Sequence, residues 1–118
     1  MKTKLLAFAA CAALTFATSA FATDWKAVAV DNNGNVVYTS QLYFDEESAP
    51  DAVVNTCEHR YGSTCGTTKS VPNDWTISVI WCDGSVSAGG ARGGRSDARQ
   101  VAISNAGGCS DVQNIFWF

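Results

Sequence analysis

The stretch that decides the fold is Asp24 to Ser40, DWKAVAVDNNGNVVYTS, because its design returns fifty positions later at 74–90 as DWTISVIWCDGSVSAGG. In both stretches an apolar run that begins with Trp is followed, at the same spacing, by a pair of residues typical of turns. The pair is Asn33-Gly34 in the first stretch and Asp83-Gly84 in the second. Such pairs are strong hairpin signals, since both central residues of a type I′ turn need positive φ. We therefore predict a β-hairpin in each stretch.

The first half of the chain is predicted to hold three strands and one helix. The run 25–30 has two largely apolar faces, as a central strand has, and 35–44 returns beside it. Ser48 is positioned as the N-cap of a helix that ends near Glu58. A Thr-rich segment, 65–71, is predicted as the third strand.

The second half repeats this order. Its first strand alternates apolar and polar residues, which predicts one packed face. Gly89–Arg95 is predicted as a flexible basic loop, and Ser96 as the cap of the second helix. The predicted elements are strands 75–81, 85–88 and 112–118 and helix 97–106.

The two predicted helices have matching apolar faces. Four positions on each, at a constant offset of 49, are expected to face the sheets: Ala49, Ala52, Val53 and Cys57 on the first, and Ala98, Val101, Ala102 and Ala106 on the second. The chain is thus predicted as one α+β domain of two pseudo-repeats, 24–71 and 74–118. Each is strand-strand-helix-strand, and the two share one core.

The N-terminal residues 1–22 are typical of a secretory signal peptide. Lys2 and Lys4 precede an apolar run, and Ala20-Phe21-Ala22 fits a cleavage site. The run is short for a transmembrane helix. We therefore expect export to the periplasm or beyond the cell, with a mature domain at 23–118 and no membrane span.

The charge balance bears on the class of partner. The mature chain keeps six of the eight basic residues and all eleven acidic ones, for a net charge of −5. Nucleic acid binding favours a basic surface, so we expect no nucleic acid partner.

Four cysteines remain after the signal peptide, an even number in a small exported domain, which predicts a disulfide framework. They allow three connectivities. If each half closes on itself, the pairs are Cys57 with Cys65 and Cys82 with Cys109, and we favour that arrangement. Zinc is the alternative, but the sequence has no Cys-x-x-Cys pair and a single histidine. We expect no metal and no cofactor.

These features resemble a known bacterial family. They are the Trp25-Lys26-Ala27-Val28-Ala29 opening, the Ala-rich helix ending at Cys57, the following Cys65, and a second copy of that layout. Together they are similar to the exported domain of unknown function 4189, over most of the mature chain. The resemblance implies a secreted, disulfide-bonded domain without an established biochemical activity.

No set of residues predicts catalysis. His59 lies beside Glu58, but Cys57 is expected to be oxidised and does not face it. Asp45-Glu46-Glu47 offers paired carboxylates of the kind that glycosidases use. A simpler explanation is that these exposed acidic residues precede a helix, whose N-terminal dipole favours negative charge. Nucleophile-elbow, zinc-protease and nucleotide-loop motifs do not occur.

The Gly-rich stretch with Arg92, Arg95 and Arg99 is the most suggestive feature. Backbone N–H groups and forked arginine donors suit an anion. The acidic segment Asp45-Glu46-Glu47 has the equivalent place in the first half. We treat all six residues as candidate binding residues, which also allow weak self-association.

The C-terminal run Ile115-Phe116-Trp117-Phe118 is expected to be a buried last strand, or a contact site if exposed. The leading interpretation is an exported, non-enzymatic domain that binds a protein or an envelope component. The alternative is a secreted inhibitor or immunity-type protein that inserts a loop, such as Gly89 to Arg95, into an enzyme. A small hydrolase of envelope polymers ranks last.

Overall fold

The computed structural model describes residues 24–118, and the predicted signal peptide lies outside that range. The described elements are β1 (Trp25–Val30), β2 (Val36–Tyr38), α1 (Ser48–Tyr61), β3 (Thr67–Pro72), β4 (Thr76–Cys82), β5 (Ser85–Ala91), α2 (Arg95–Asn105) and β6 (Val112–Trp117). The strands form two antiparallel sheets, with order β2-β1-β3 in sheet A and β5-β4-β6 in sheet B. The predicted α+β class is confirmed.

The two central strands, β1 and β4, carry the packing. Side chains alternate across a strand, so one set of β1 residues, Ala27 and Ala29, packs with α1. The other set, Val28 and Val30, lies in a cluster with Ile77 and Val79 of β4. A third cluster joins Ile80 and Cys82 of β4 to Ala102 of α2. The layers are therefore α1, sheet A, sheet B and α2.

The prediction of a single packed face for β4 was wrong. Ser78 and Ile80 point away from the central cluster, yet both are buried, because α2 covers that face of sheet B. The alternation of Thr76 and Ser78 with apolar residues indicated solvent on that side. A small polar residue beneath a helix gives the same pattern as an exposed one.

The predicted loop Gly89–Arg95 is also shorter than expected. Gly89 and Gly90 are buried in β5, which runs to Ala91, and α2 begins at Arg95. A Cβ atom at Gly89 would fall on the backbone of α2, and one at Gly90 would fall on Val71 of sheet A. Both glycines therefore allow close approach of neighbouring layers, and only Arg92–Gly94 connects β5 to α2.

The two hairpin turns differ in type. Asp83 and Gly84 both have positive φ, 52° and 86°, as a type I′ turn requires. In the first hairpin only Gly34 does, and the turn is built around the buried carboxylate of Asp31. That carboxylate accepts hydrogen bonds from the backbone N–H groups of Asn33 and Asn35 and from the Asn35 amide. The Asn35 side chain is the main cause of the lowered pKa of Asp31.

The helix ends correct two further predictions. Ser96 does not cap α2, whose N-cap is Gly94, and Ala106 is exposed at the C-cap instead of packed. Gly62, Gly107 and Gly108, just after the helices, all have positive φ, and α1 runs to Tyr61, beyond the end predicted near Glu58.

The cysteines are joined within each half. Cys57 is bonded to Cys65, and Cys82 to Cys109, which are the two pairs favoured from the sequence. The first bridge ties α1 to the start of β3, and the second ties β4 to the segment before β6. No helix among residues 24–118 is long and apolar enough to cross a membrane.

Candidate functional site

The acidic segment lies directly before α1, and Asp45 acts there as a structural cap. Its carboxylate accepts hydrogen bonds from the backbone N–H groups of Glu47 (3.2 Å) and Ser48 (2.8 Å) and from the Ser48 hydroxyl (3.0 Å). Ser48 was predicted to be the cap, but it is the first residue of the helix and donates to Asp45 instead. Glu46 and Glu47 are exposed.

Asp45 should make the stability of the fold decrease as the pH is lowered. The Ser48 backbone N–H, followed by its hydroxyl, holds the pKa of Asp45 below its ordinary value of 3.8. Since the folded-state pKa is the lower one, this contribution is complete above the unfolded-state pKa and is lost as pH falls through the lowered pKa. We expect Asp45→Asn to lower the melting temperature at neutral pH. In this variant the melting temperature should also fall less steeply as the pH is lowered.

Thermal unfolding followed by circular dichroism from about pH 2 to pH 7 measures this effect. Glu46→Gln is the control, because the Glu46 side chain makes no hydrogen bond among the described residues and should leave the curve unchanged. Asp31 keeps its own acid dependence in both variants. An acid decline in Asp45→Asn as steep as in the wild type would contradict the assignment.

The three candidate arginines have three different partners. Arg92 is paired with Asp74 at 3.4 Å, where both side chains are largely exposed, so this ion pair contributes little to stability. The Arg95 guanidinium carbon lies 4.6 Å from the centroid of the Trp117 ring. Arg99 donates from Nε to the Asn114 amide oxygen at 3.1 Å. The arginines therefore do not hold one common acceptor.

The start of α2 already carries a carboxylate of its own. A Cβ atom placed at Gly93 would fall on the carboxylate of Asp97, so that side chain folds back over the loop. An acidic group in the first turn of a helix is favoured by the macrodipole. The anion-binding loop predicted from the sequence is thus partly filled by the protein itself.

Two of the arginines instead form a continuous surface with β6, the outer strand of sheet B. Arg95 and Arg99 are one helical turn apart on α2, and both reach across to side chains of β6. We call Arg95, Arg99, Asn114 and Trp117 the β6–α2 surface. Trp117 is 49% exposed, so its ring is available at the side that Arg95 leaves open.

No family model, curated protein or solved structure matches this chain.

The aromatic residues beside Trp117 lie on the opposite face of β6. Phe116 stacks on Tyr38 of β2 at 5.0 Å between ring centroids, and Phe118 lies 5.4 Å from the same ring. The C-terminal run is therefore divided: Phe116 and Phe118 join the two sheets, and Trp117 faces outward. Alternation of side chains over residues 116–118 accounts for this division, and a register shift at Ile115 precedes it.

The segment after β2 was predicted as strand up to residue 44, but β2 ends at Tyr38. The following residues pair with β1 only at Thr39 and Tyr43, and they expose apolar side chains, of which Phe44 is the most prominent at 87%. A groove of about 460 Å³ lies between β2 and α1, with Arg60 as its charged lining residue. No local sequence pattern predicts this groove, because it depends on how α1 packs beside β2.

Catalytic groupings are not found in the described part of the chain. His59 is exposed on α1, and its neighbour Cys57 is oxidised. Residues 24–118 contain no group of three or more His, Cys, Asp or Glu side chains arranged to hold a metal ion.

Proposed function

We propose that the chain is an exported, non-enzymatic domain that binds a protein or an envelope component through the β6–α2 surface. The observation that carries this proposal is the placement of Arg95 over the half-exposed ring of Trp117. Tryptophan and arginine are the side chains most enriched at the energetic centres of protein interfaces. An exposed pair of them, with Trp117 on an outer strand and Arg95 at the start of α2, therefore favours recognition over a purely structural role.

The charge of this surface indicates the kind of partner. The mature domain carries a net charge of −5, whereas Arg95 and Arg99 place two cations side by side beside an aromatic ring. An acidic group on the partner would find complementary charge here and repulsion over much of the remaining surface. Arg92, already paired with Asp74, would contribute at the rim.

The exported state is part of the proposal and rests on the signal-like N-terminus together with the two disulfides, which persist in oxidising compartments. We further infer that the halves are copies of one unit with a common core, and that the chain is related to the domain of unknown function 4189. Support comes from the same element order in each half and from the cluster in which β1 and β4 side chains meet.

A second candidate is an inhibitor or immunity-type protein. Phe44, 87% exposed on the segment before α1, is the observation that favours it, because such a side chain suits insertion into the cleft of an enzyme. Phe44 replaces Gly89–Arg95 as the inserting segment, since half of that stretch lies in β5 and α2. A hydrolase that uses Asp45, Glu46 or Glu47 ranks below both.

Affinity capture with the oxidised domain 23–118 against envelope and secreted fractions tests the binding proposal. We expect one partner to be retained, and Arg95→Glu with Arg99→Glu to weaken its affinity by about tenfold or more in a titration with purified partner. Arg60→Glu, a charge reversal at one exposed position of α1 instead of two, should have no such effect. Arg92→Glu should have a smaller one.

The outcomes separate the three candidates. Equal binding by the double variant and the wild type would overturn the assigned surface. A captured enzyme that loses activity, with relief by Phe44→Ser, would favour the inhibitor. Turnover of an envelope polymer that disappears on changing Asp45, Glu46 or Glu47 would overturn the non-enzymatic proposal.

A further inference from the structure

The pairing of β1 with the chain after β2 is interrupted opposite Lys26. Thr39 donates its backbone N–H to Ala27 at 3.0 Å, which continues the regular register of the hairpin. In that register Trp25 would face Gln41, but it exchanges two backbone hydrogen bonds with Tyr43 instead. Two extra residues are therefore inserted, and Ser40–Leu42 arches out beside Lys26.

An open pocket of about 200 Å³ lies beside this arch. Strand bulges of this kind are enriched next to functional sites, because they redirect side chains and open space in a sheet. We call the cavity the Lys26 pocket. Its lining comprises Lys26 with Thr39, Ser40, Gln41, Leu42, Asn73 and Phe118.

The Lys26 ammonium has no anionic partner among the described residues. The side chain is only 8% exposed, and its Nζ lies 4.8 Å from the centroid of the Phe118 ring. Neither a hydrogen-bond acceptor nor a carboxylate of residues 24–118 lies within bonding distance of Nζ. The ammonium keeps contact with solvent in the open pocket, but it has lost part of its hydration without gaining a charged partner, which carries a cost.

The surrounding charges do not remove this cost. Burial lowers the pKa of Lys26, and Asp74 opposes that effect only through its more distant charge. The Asp74 carboxylate is itself paired with Arg92. Packing on Phe118 supplies a cation–π contact, but an aromatic ring satisfies none of the three N–H donors.

We propose that the Lys26 pocket binds a small organic monocarboxylate, whose carboxylate pairs with the Lys26 ammonium. One ammonium matches one negative charge, and Ser40, Gln41 and Asn73 line the same pocket with side chains that can donate hydrogen bonds to a carboxylate. Leu42 and Phe118 provide apolar walls for a short hydrocarbon substituent. A cavity of this size is smaller than the sites of drug-sized ligands, so a short-chain acid fits and a nucleotide does not.

This site is independent of the proposed function. The Lys26 pocket lies at the edge of sheet A, and its lining shares no residue with the β6–α2 surface. A small acid would enter this pocket whether or not the domain binds a macromolecular partner.

NMR of the folded domain 23–118 with ¹³C-labelled lysine tests the proposal, with butyrate as the probe and butyramide as its uncharged isostere. We expect butyrate to shift the Lys26 side-chain signals with a dissociation constant of about 1 mM or lower, and to raise the pKa of Lys26. Butyramide should do neither. Lys69→Met, on the neighbouring strand β3, should leave butyrate binding unchanged, and Lys26→Met should abolish it.

Several results would overturn the site. One is no change at Lys26 with butyrate up to about 50 mM, which does not depend on any variant being folded. Another is inorganic phosphate shifting Lys26 as strongly as butyrate, which would reject the carboxylate class. A third is loss of the butyrate response in Arg95→Glu with Arg99→Glu, which would place the probe on the other surface.

Discussion

Gly89→Ala is expected to lower the free energy of unfolding by about 3 kcal/mol, at the upper end of typical overpacking effects. The added Cβ would fall on the backbone of Ala102 and within 2.7 Å of the Val101 carbonyl carbon. Backbone atoms of a packed helix have no rotamer through which to move aside. The whole of α2 must therefore shift away from sheet B, which opens the cluster around Ile80.

Thermal or urea unfolding measures this effect, and the expected decrease in melting temperature is roughly 12 to 24 °C. Two alanine variants provide a graded control. Gly90→Ala meets a side-chain methyl of Val71, which can adjust, so its effect should be smaller. Gly66→Ala meets nothing within 4 Å and should be close to neutral. Equal stabilities of the Gly89 and Gly66 variants would contradict the close packing of α2 on β5.

Removing the second disulfide, by Cys82→Ala with Cys109→Ala, is expected to cost about 3.6 kcal/mol. Removing the first, by Cys57→Ala with Cys65→Ala, should cost about 2.6 kcal/mol. The difference follows from sequence separations of 27 and 8 residues, because a longer closed loop restricts the unfolded chain more. Both bridges are largely buried, so loss of packing affects the two variants in the same direction.

Urea unfolding of the two double variants under oxidising conditions measures this difference. Comparison of the variants with each other is the main readout, since wild type and variants also differ in thiol packing. A first-bridge variant that is less stable than the second-bridge variant would contradict the loop-length argument. It would indicate that the junction of α1 with β3 depends on its bridge for native-state geometry.

The parts of the fold that were predictable are those determined by short-range pattern. The apolar run 25–30 predicted a central strand, and the Asp83-Gly84 pair predicted the type I′ turn, because period and backbone preference are local properties. The sequence also indicated approximately where the helices end, because the backbone preference of glycine is a local property too. The cysteine pairing followed from the repeat, once each half was taken to close on itself.

The parts that were not predictable depend on which elements meet. Gly89 and Gly90 are typical of a loop until α2 and Val71 are known to lie against them. Asp45 and Ser48 are both good capping residues, and only the path of the chain decides between them.

The candidate sites show the same limit. Arg95 and Arg99 were selected from the sequence, and Trp117 as part of a possible contact run, but neither Asn114 nor the pairing of Arg95 with Trp117 was predicted, because β6 reaches α2 only through the pairing of sheet B. Lys26 looked like an ordinary polar residue in an apolar strand. Its importance depends on two residues inserted in a neighbouring segment, and no local signal marks that register shift.

Each of the two disulfides among residues 24–118 joins two cysteines of the same half, one in the first half and one in the second, and neither connects the halves. The oxidised chain therefore carries one closed loop in each half, 57–65 and 82–109, and the halves are joined covalently only through the short connection 73–75. Oxidation restrains each half but does not specify which second half a given first half packs against. That choice rests on noncovalent contacts alone, so the oxidised chain is topologically free to form an exchanged dimer as well as a closed monomer.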